Sequence, residues 1–83
     1  MTNNESIIRE VIAGHGRLNV DASTLGAEAS LYAAGLTSHA SVNVMLALED
    51  AFEIEFPERL LRRSTFVSIA SLLTALDSLV AVN

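Results

Sequence analysis

Gly35-Leu36-Thr37-Ser38-His39-Ala40-Ser41-Val42 is the stretch whose reading decides the fold. It puts a serine at the point where a loop becomes a helix. A serine at the first helical position presents its hydroxyl at the positive end of the helix macrodipole. A phosphate esterified there is favourably placed. The same serine also reads as an N-cap, accepting a backbone N–H from the second or third helical position. Local sequence supports both readings, so the surroundings must separate them.

Downstream, the spacing predicts a helix over 38–52. Val42, Met45, Leu46, Leu48 and Phe52 are apolar over more than one face, and His39, Asn43 and Asp50 share the remaining polar stripe. Glu53-Ile54-Glu55-Phe56 alternates but is too short for a strand. Pro57 suits the first position of a short helix over 58–63. Ser64 or Thr65 can cap a last helix, in which Ile69, Leu72, Leu73, Leu76 and Leu79 recur at helical spacing.

Upstream, Asn3 or Asn4 can cap a first helix with Ile7, Ile8, Val11 and Ile12 on one stripe, ended by Gly14 and Gly16. Between the first two helices runs a long connection, 17–37. Asp21-Ala22-Ser23-Thr24 and Gly26 signal turns in it, and Leu18, Val20, Leu25, Leu31 and Leu36 can pin it to a core. Structureless loops above ~15 residues are uncommon in compact domains and often functional. No internal repeat or low-complexity tract interrupts the pattern. The expectation is an all-α fold: one domain over 1–83, a small four-helix bundle of three main helices plus a short one, with a long first loop.

A chain of 83 residues buries only roughly 60% of its unfolded surface, which leaves no room for a deep cofactor cleft. Ten acidic residues against five arginines and no lysine give a formal charge of −5, which argues against nucleic acid and for a basic partner surface. The absence of cysteine removes disulfides, thiolate nucleophiles and cysteine metal sites, and is compatible with a cytoplasmic protein. Met1-Thr2-Asn3-Asn4-Glu5-Ser6 lacks the basic start and apolar run of a signal peptide. No apolar run approaches the ~20 residues that cross a bilayer. With 51% hydrophobic and 18% charged residues, some apolar surface is left over for a ligand or partner.

Ser38 beside His39 invites a nucleophile–base reading, but neighbours at i and i+1 on a helix do not face each other. His15, the other histidine, has no sequence feature that brings it near, and no oxyanion hole is specified. No H-x-x-x-H or similar metal pair occurs. Glu49, Asp50, Glu53, Glu55 and Glu58 form an acidic run, which reads as a solvated face or as a guide for a basic partner. Arg59, Arg62 and Arg63 follow, able to pair with these carboxylates or to give partners a mixed-charge rim.

Gly35-Leu36-Thr37-Ser38, Val42, Met45-Leu46-Ala47-Leu48-Glu49-Asp50-Ala51-Phe52 and Phe56-Pro57 together resemble the acyl carrier protein family. Its usual pattern is Gly-Leu-Asp-Ser-Leu, a helix with Val and Leu-Glu-Glu-x-Phe, then Ile-Pro. Ser64-Thr65-Phe66-Val67 is similar to the start of that family's last helix, and the match covers nearly the whole chain. The resemblance implies that Ser38 carries 4′-phosphopantetheine, installed from coenzyme A by a phosphopantetheinyl transferase. The domain is then a carrier, not an enzyme, and a tethered thiol supplies the sulfur that the chain lacks.

Thr37 stands where the family has Asp, His39 where it has Leu, and Ala40 and Asn43 where fatty-acid carriers have acidic residues; Glu49 and Asp50 are kept. The variant Gly-Leu-(Ser/Thr)-Ser-x-Ala-Ser-Val resembles the bacterial stand-alone aminoacyl carrier proteins. That likeness implies a small amino acid, such as glycine or alanine, as cargo. It also implies loading by an ATP-dependent amino acid:carrier protein ligase related to seryl-tRNA synthetase, an unidentified acceptor enzyme downstream, and a monomer. Thr37, His39, Ala40, Asn43, Glu49, Asp50 and Arg62 are the expected partner contacts. The alternatives are a fatty-acyl or polyketide carrier, with Val42, Met45, Leu46, Leu61 and Ile69 either lining an interior or simply core, and an unmodified helical interaction domain docking through Ala70, Leu73, Ala75, Leu79 and Val80.

Overall fold

The computed structural model describes residues 3–81. Three helices form the frame: α1 (Asn3–His15), α2 (Ser38–Phe52) and α3 (Ile69–Ala81). Single 3₁₀ turns occupy Ala22–Thr24, Glu58–Leu60 and Arg63–Thr65, and no strand occurs among the described residues. The helical order and the second helix over 38–52 are as the periodicity predicts.

Each helix buries an i, i+4 or i, i+3 pair. Ile8 and Ile12 of α1, Val44 and Leu48 of α2, and Leu72 and Leu76 of α3 meet in one core, with exposures of 0–1%. Burying each such side chain is worth about 1.5–3 kcal/mol, which is what makes helices of this length stable. Asn3 and Asn4 both lie inside α1, and the position ahead of them falls outside the described residues. Gly14 lies inside it too, so Gly16 alone ends the helix. Its amide donates to the Ile12 carbonyl at 2.8 Å, and a Cβ there would sit 2.8 Å from that same oxygen.

The long connection is ordered by hydrogen bonds to its backbone as well as by the buried side chains of Ala22, Leu31 and Leu36. Arg9 reaches from α1 to donate to the carbonyls of Ala22 (2.8 Å) and Leu25 (2.7 Å) while pairing with Glu5 at 3.2 Å. The Leu31 N–H donates to the Val67 carbonyl and the Ala70 N–H to the Ala27 carbonyl, both at 2.7 Å. The second bond satisfies an amide in the first turn of α3, which has no partner within its own helix. Leu31 and Leu36 are buried as expected, whereas Val20 is exposed.

Two sequence expectations are corrected. The short helix over 58–63 is instead a 3₁₀ turn over Glu58–Leu60, with Pro57 as its N-cap residue; Arg62 is already extended. Leu61 of this segment stays exposed, so burial gives another helical turn little reward. Ser64 and Thr65 do not cap the last helix. Ser68 does: its Oγ accepts the Ser71 N–H at 3.1 Å, and the Ser71 Oγ accepts the Ser68 N–H at 3.0 Å. This is a reciprocal box with serine in the usual glutamate place.

Candidate functional site

The two readings of Ser38 are separated by its neighbour. Thr37 is the N-cap, extended at φ −100 and ψ 164, and its Oγ1 accepts the Ala40 N–H at 3.0 Å. Ser38 is the first helical residue. Its hydroxyl is exposed and makes no hydrogen bond among the described residues. The chain arrives there through a tight turn in which the Leu36 N–H donates to the Leu31 carbonyl at 2.9 Å and Gly35 takes φ +115. Only glycine adopts that φ without cost.

Beside the hydroxyl lies a groove of about 400 Å³. Ser38, Ser41, Val42 and Met45 of α2 line it together with Leu61 and Phe66. Tyr32 lines it too, with the Arg63 guanidinium stacked 3.7 Å from its ring centroid. Arg62 completes the rim, so the lining holds two cations and no carboxylate. Phe66 is fixed from behind by Phe56, ring centroids 5.7 Å apart.

The residues singled out from sequence fall into three groups. Thr37, His39, Asn43 and Asp50 are exposed on or beside α2, and Arg62 is exposed on the groove. Ala40 is 3% exposed and belongs to the core, because it starts the stripe that continues through Val44 and Leu48. Glu49 is half-buried, and its carboxylate accepts the Phe56 N–H at 2.8 Å. Among the described residues no ion pair joins Arg59, Arg62 or Arg63 to the acidic run.

Val42, Leu46 and Leu61 are about half exposed at 49%, 53% and 49%, so none is core. Val42, Met45 and Leu61 line the groove, while Leu46 and Ile69 do not. Ala75 is buried and Ala70, Leu73 and Leu79 are half-buried, so these described residues form no open apolar face on α3; the Val80 side chain lies outside the described part. Sequence reasoning missed Tyr32, Ser41, Arg63 and Phe66 as groove residues. Their only signal is tertiary, since the Tyr32–Arg63 stack joins segments with no local pattern in common.

His15 is exposed at the end of α1, His39 is exposed on α2, and no group of three potential metal ligands exists among the described residues. No described helix is long and apolar enough to cross a membrane.

Ser38 presents its hydroxyl at the N-terminus of α2 in a helical bundle, and comparison with known proteins identifies the class. Residues 7–76 match the family described as "Phosphopantetheine attachment site", and the chain belongs to that family. It is 52% identical over 65 residues to the aminoacyl carrier protein of Agrobacterium fabrum, covering 78% of each chain. Among solved structures, it is similar to a chain in the crystal structure of an engineered Bradyrhizobium japonicum glycine:[carrier protein] ligase complexed with a carrier protein from Agrobacterium tumefaciens and ATP. The TM-score there is 0.90 at 44% identity, over 93% of this chain and 100% of that one. A structure of the Bradyrhizobium ligase complexed with glycylated carrier protein gives 0.77 at 28% identity, over 89% and 99%.

The residues present fit a phosphopantetheine group. Ser38 offers an unengaged hydroxyl at a helix N-terminus, and the groove it opens into is apolar with a cationic rim.

Proposed function

We propose that this chain is an aminoacyl carrier protein whose attachment residue is Ser38 and whose cargo is a small amino acid such as glycine or alanine. When bound, the phosphopantetheine arm supplies the thiol on which cargo is held as a thioester. The chain's own residues do the rest. Thr37 caps α2, which leaves the Ser38 hydroxyl free for a transferase, and the first-turn amides with the helix dipole favour the phosphodiester. The protein does no chemistry itself; it presents cargo, and the tether keeps that cargo at high effective concentration near a partner's active site.

The observation that carries this reading is the division of labour between Thr37 and Ser38. His39, Asn43 and Asp50 on the exposed stripe of α2, with Thr37 and Arg62, form the surface offered to a transferase and to an ATP-dependent amino acid:carrier protein ligase.

Incubation with coenzyme A and a broad-specificity transferase tests the reading by intact mass. The expected result is one arm per chain, lost in Ser38→Ala. A mass gain that survives this substitution, or none at all, overturns it. Loading of the holo form with a panel of amino acids, ATP and candidate ligases then reads the cargo, and loading with long-chain acyl groups alone overturns the aminoacyl assignment.

A further inference from the structure

Resting on the carrier reading, we infer that the groove beside Ser38 holds the unloaded arm and gives it up when an amino acid is attached, because its rim repels the new ammonium group. Three observations meet here. Ser38 itself lines the groove, so a group esterified to its hydroxyl starts inside it. The walls are mainly apolar, formed by Val42, Met45, Leu61 and Phe66, and suit an arm built of methyl, methylene and amide groups. Among the described residues, the only charged side chains in the lining are the guanidinium groups of Arg62 and Arg63.

The charges sort the arm's states. The phosphodiester and a thiol or thiolate end are compatible with two arginines. An aminoacyl thioester carries a free α-ammonium, a third positive charge in a space with no carboxylate to receive it. Arg63 is held in place by its stack on Tyr32, 3.7 Å from the ring centroid, so it cannot swing clear without losing that contact. Two like charges at contact range in a water-like, salt-screened medium disfavour the docked state by about three- to tenfold. That is enough to shift a weakly docked arm from mostly held to mostly free. Loading then exposes the cargo without any change in the fold.

The test uses the holo protein, with the arm first verified on Ser38 by intact mass. Absence of the arm overturns the carrier reading and this inference with it. Proton NMR of the holo form should show contacts from the arm's methyl groups to the Tyr32, Met45 and Phe66 side chains. A glycyl arm should lose them by about three- to tenfold in population, and an N-acetylglycyl arm, larger but uncharged, should keep them. The double variant Arg62→Gln/Arg63→Gln should retain the contacts in the glycyl form. With the arm present, the inference is overturned by no contact in the holo form, by contacts that survive glycylation unchanged, or by equal loss for the glycyl and acetylglycyl arms.

Discussion

The Glu49 carboxylate accepts the Phe56 backbone N–H at 2.8 Å and so closes the loop leaving α2. The Glu49 carbonyl accepts the Ile54 N–H at 3.1 Å, so one residue ties two points of that loop. Phe56 is 6% exposed and packs on Phe66, which lines the groove. Leaving its amide without a partner costs about 1–3 kcal/mol. Glu49→Ala should therefore lower the melting temperature by roughly 4 °C or more, at about 4–8 °C per kcal/mol for a domain this size. Glu49→Gln, which keeps a carbonyl acceptor, should lose less. An unchanged melting temperature with impaired ligase loading would assign Glu49 to partner contact instead.

Thr37 and Ser38 should separate cleanly under substitution. Thr37→Ala removes the cap and should destabilise the fold by about 1 kcal/mol. Ser38→Ala removes a hydroxyl with no internal partner and should stay within about 0.5 kcal/mol of the parent while abolishing the mass gain. Urea unfolding and intact-mass measurement on the same samples read both effects.

Gly35 tolerates no side chain. At φ +115, a Cβ would lie 2.8 Å from the Asn19 Nδ2 and 3.2 Å from the Asn19 backbone nitrogen. Gly35→Ala should destabilise by about 1–3 kcal/mol, with faster exchange of the Leu36 amide. Adding Asn19→Ala removes the side-chain clash but not the φ strain or the backbone contact, so it should restore only part of the loss.

Asp21 makes acid stability partly local. Its Oδ1 accepts the Ser23 N–H at 2.9 Å and the Ser23 hydroxyl at 2.8 Å, and these bonds, the backbone one first, hold its pKa below the ordinary 3.8. A lowered carboxylate pKa contributes stability that is present above the unfolded value and lost as pH falls through the folded one. The difference in melting temperature between the parent and Asp21→Asn should be constant from neutral pH down to about 3.8 and change below it. A difference independent of pH throughout would remove Asp21 from the titration.

What sequence reveals here depends on distance along the chain. α2 was legible over 38–52 because capping residues, apolar spacing and the break after Phe52 all lie within one local stretch. Which of Thr37 and Ser38 caps was not legible, since both are good caps and the choice depends on a one-residue register. The last helix begins at Ile69 because the Val67 carbonyl is engaged by Leu31 and Phe66 is seated on Phe56; neither contact is visible near Ser64 or Thr65. Ala40 looked like surface from its place beside Ser38, and only the stripe through Val44 and Leu48 shows it facing inward. The groove was the least legible part, being assembled from Tyr32, α2 and the 61–66 segment.

The two bonds that join the long connection to the start of α3, Leu31 to Val67 and Ala70 to Ala27, set the serine and the groove apart by reach. The turn and cap that present Ser38 use contacts close in the chain. The groove is shared by Tyr32, α2 and the 61–66 segment, so it needs the last third of the molecule seated against the middle. Presentation of the serine is a local property of the chain, and the cradle beside it is a property of the whole fold.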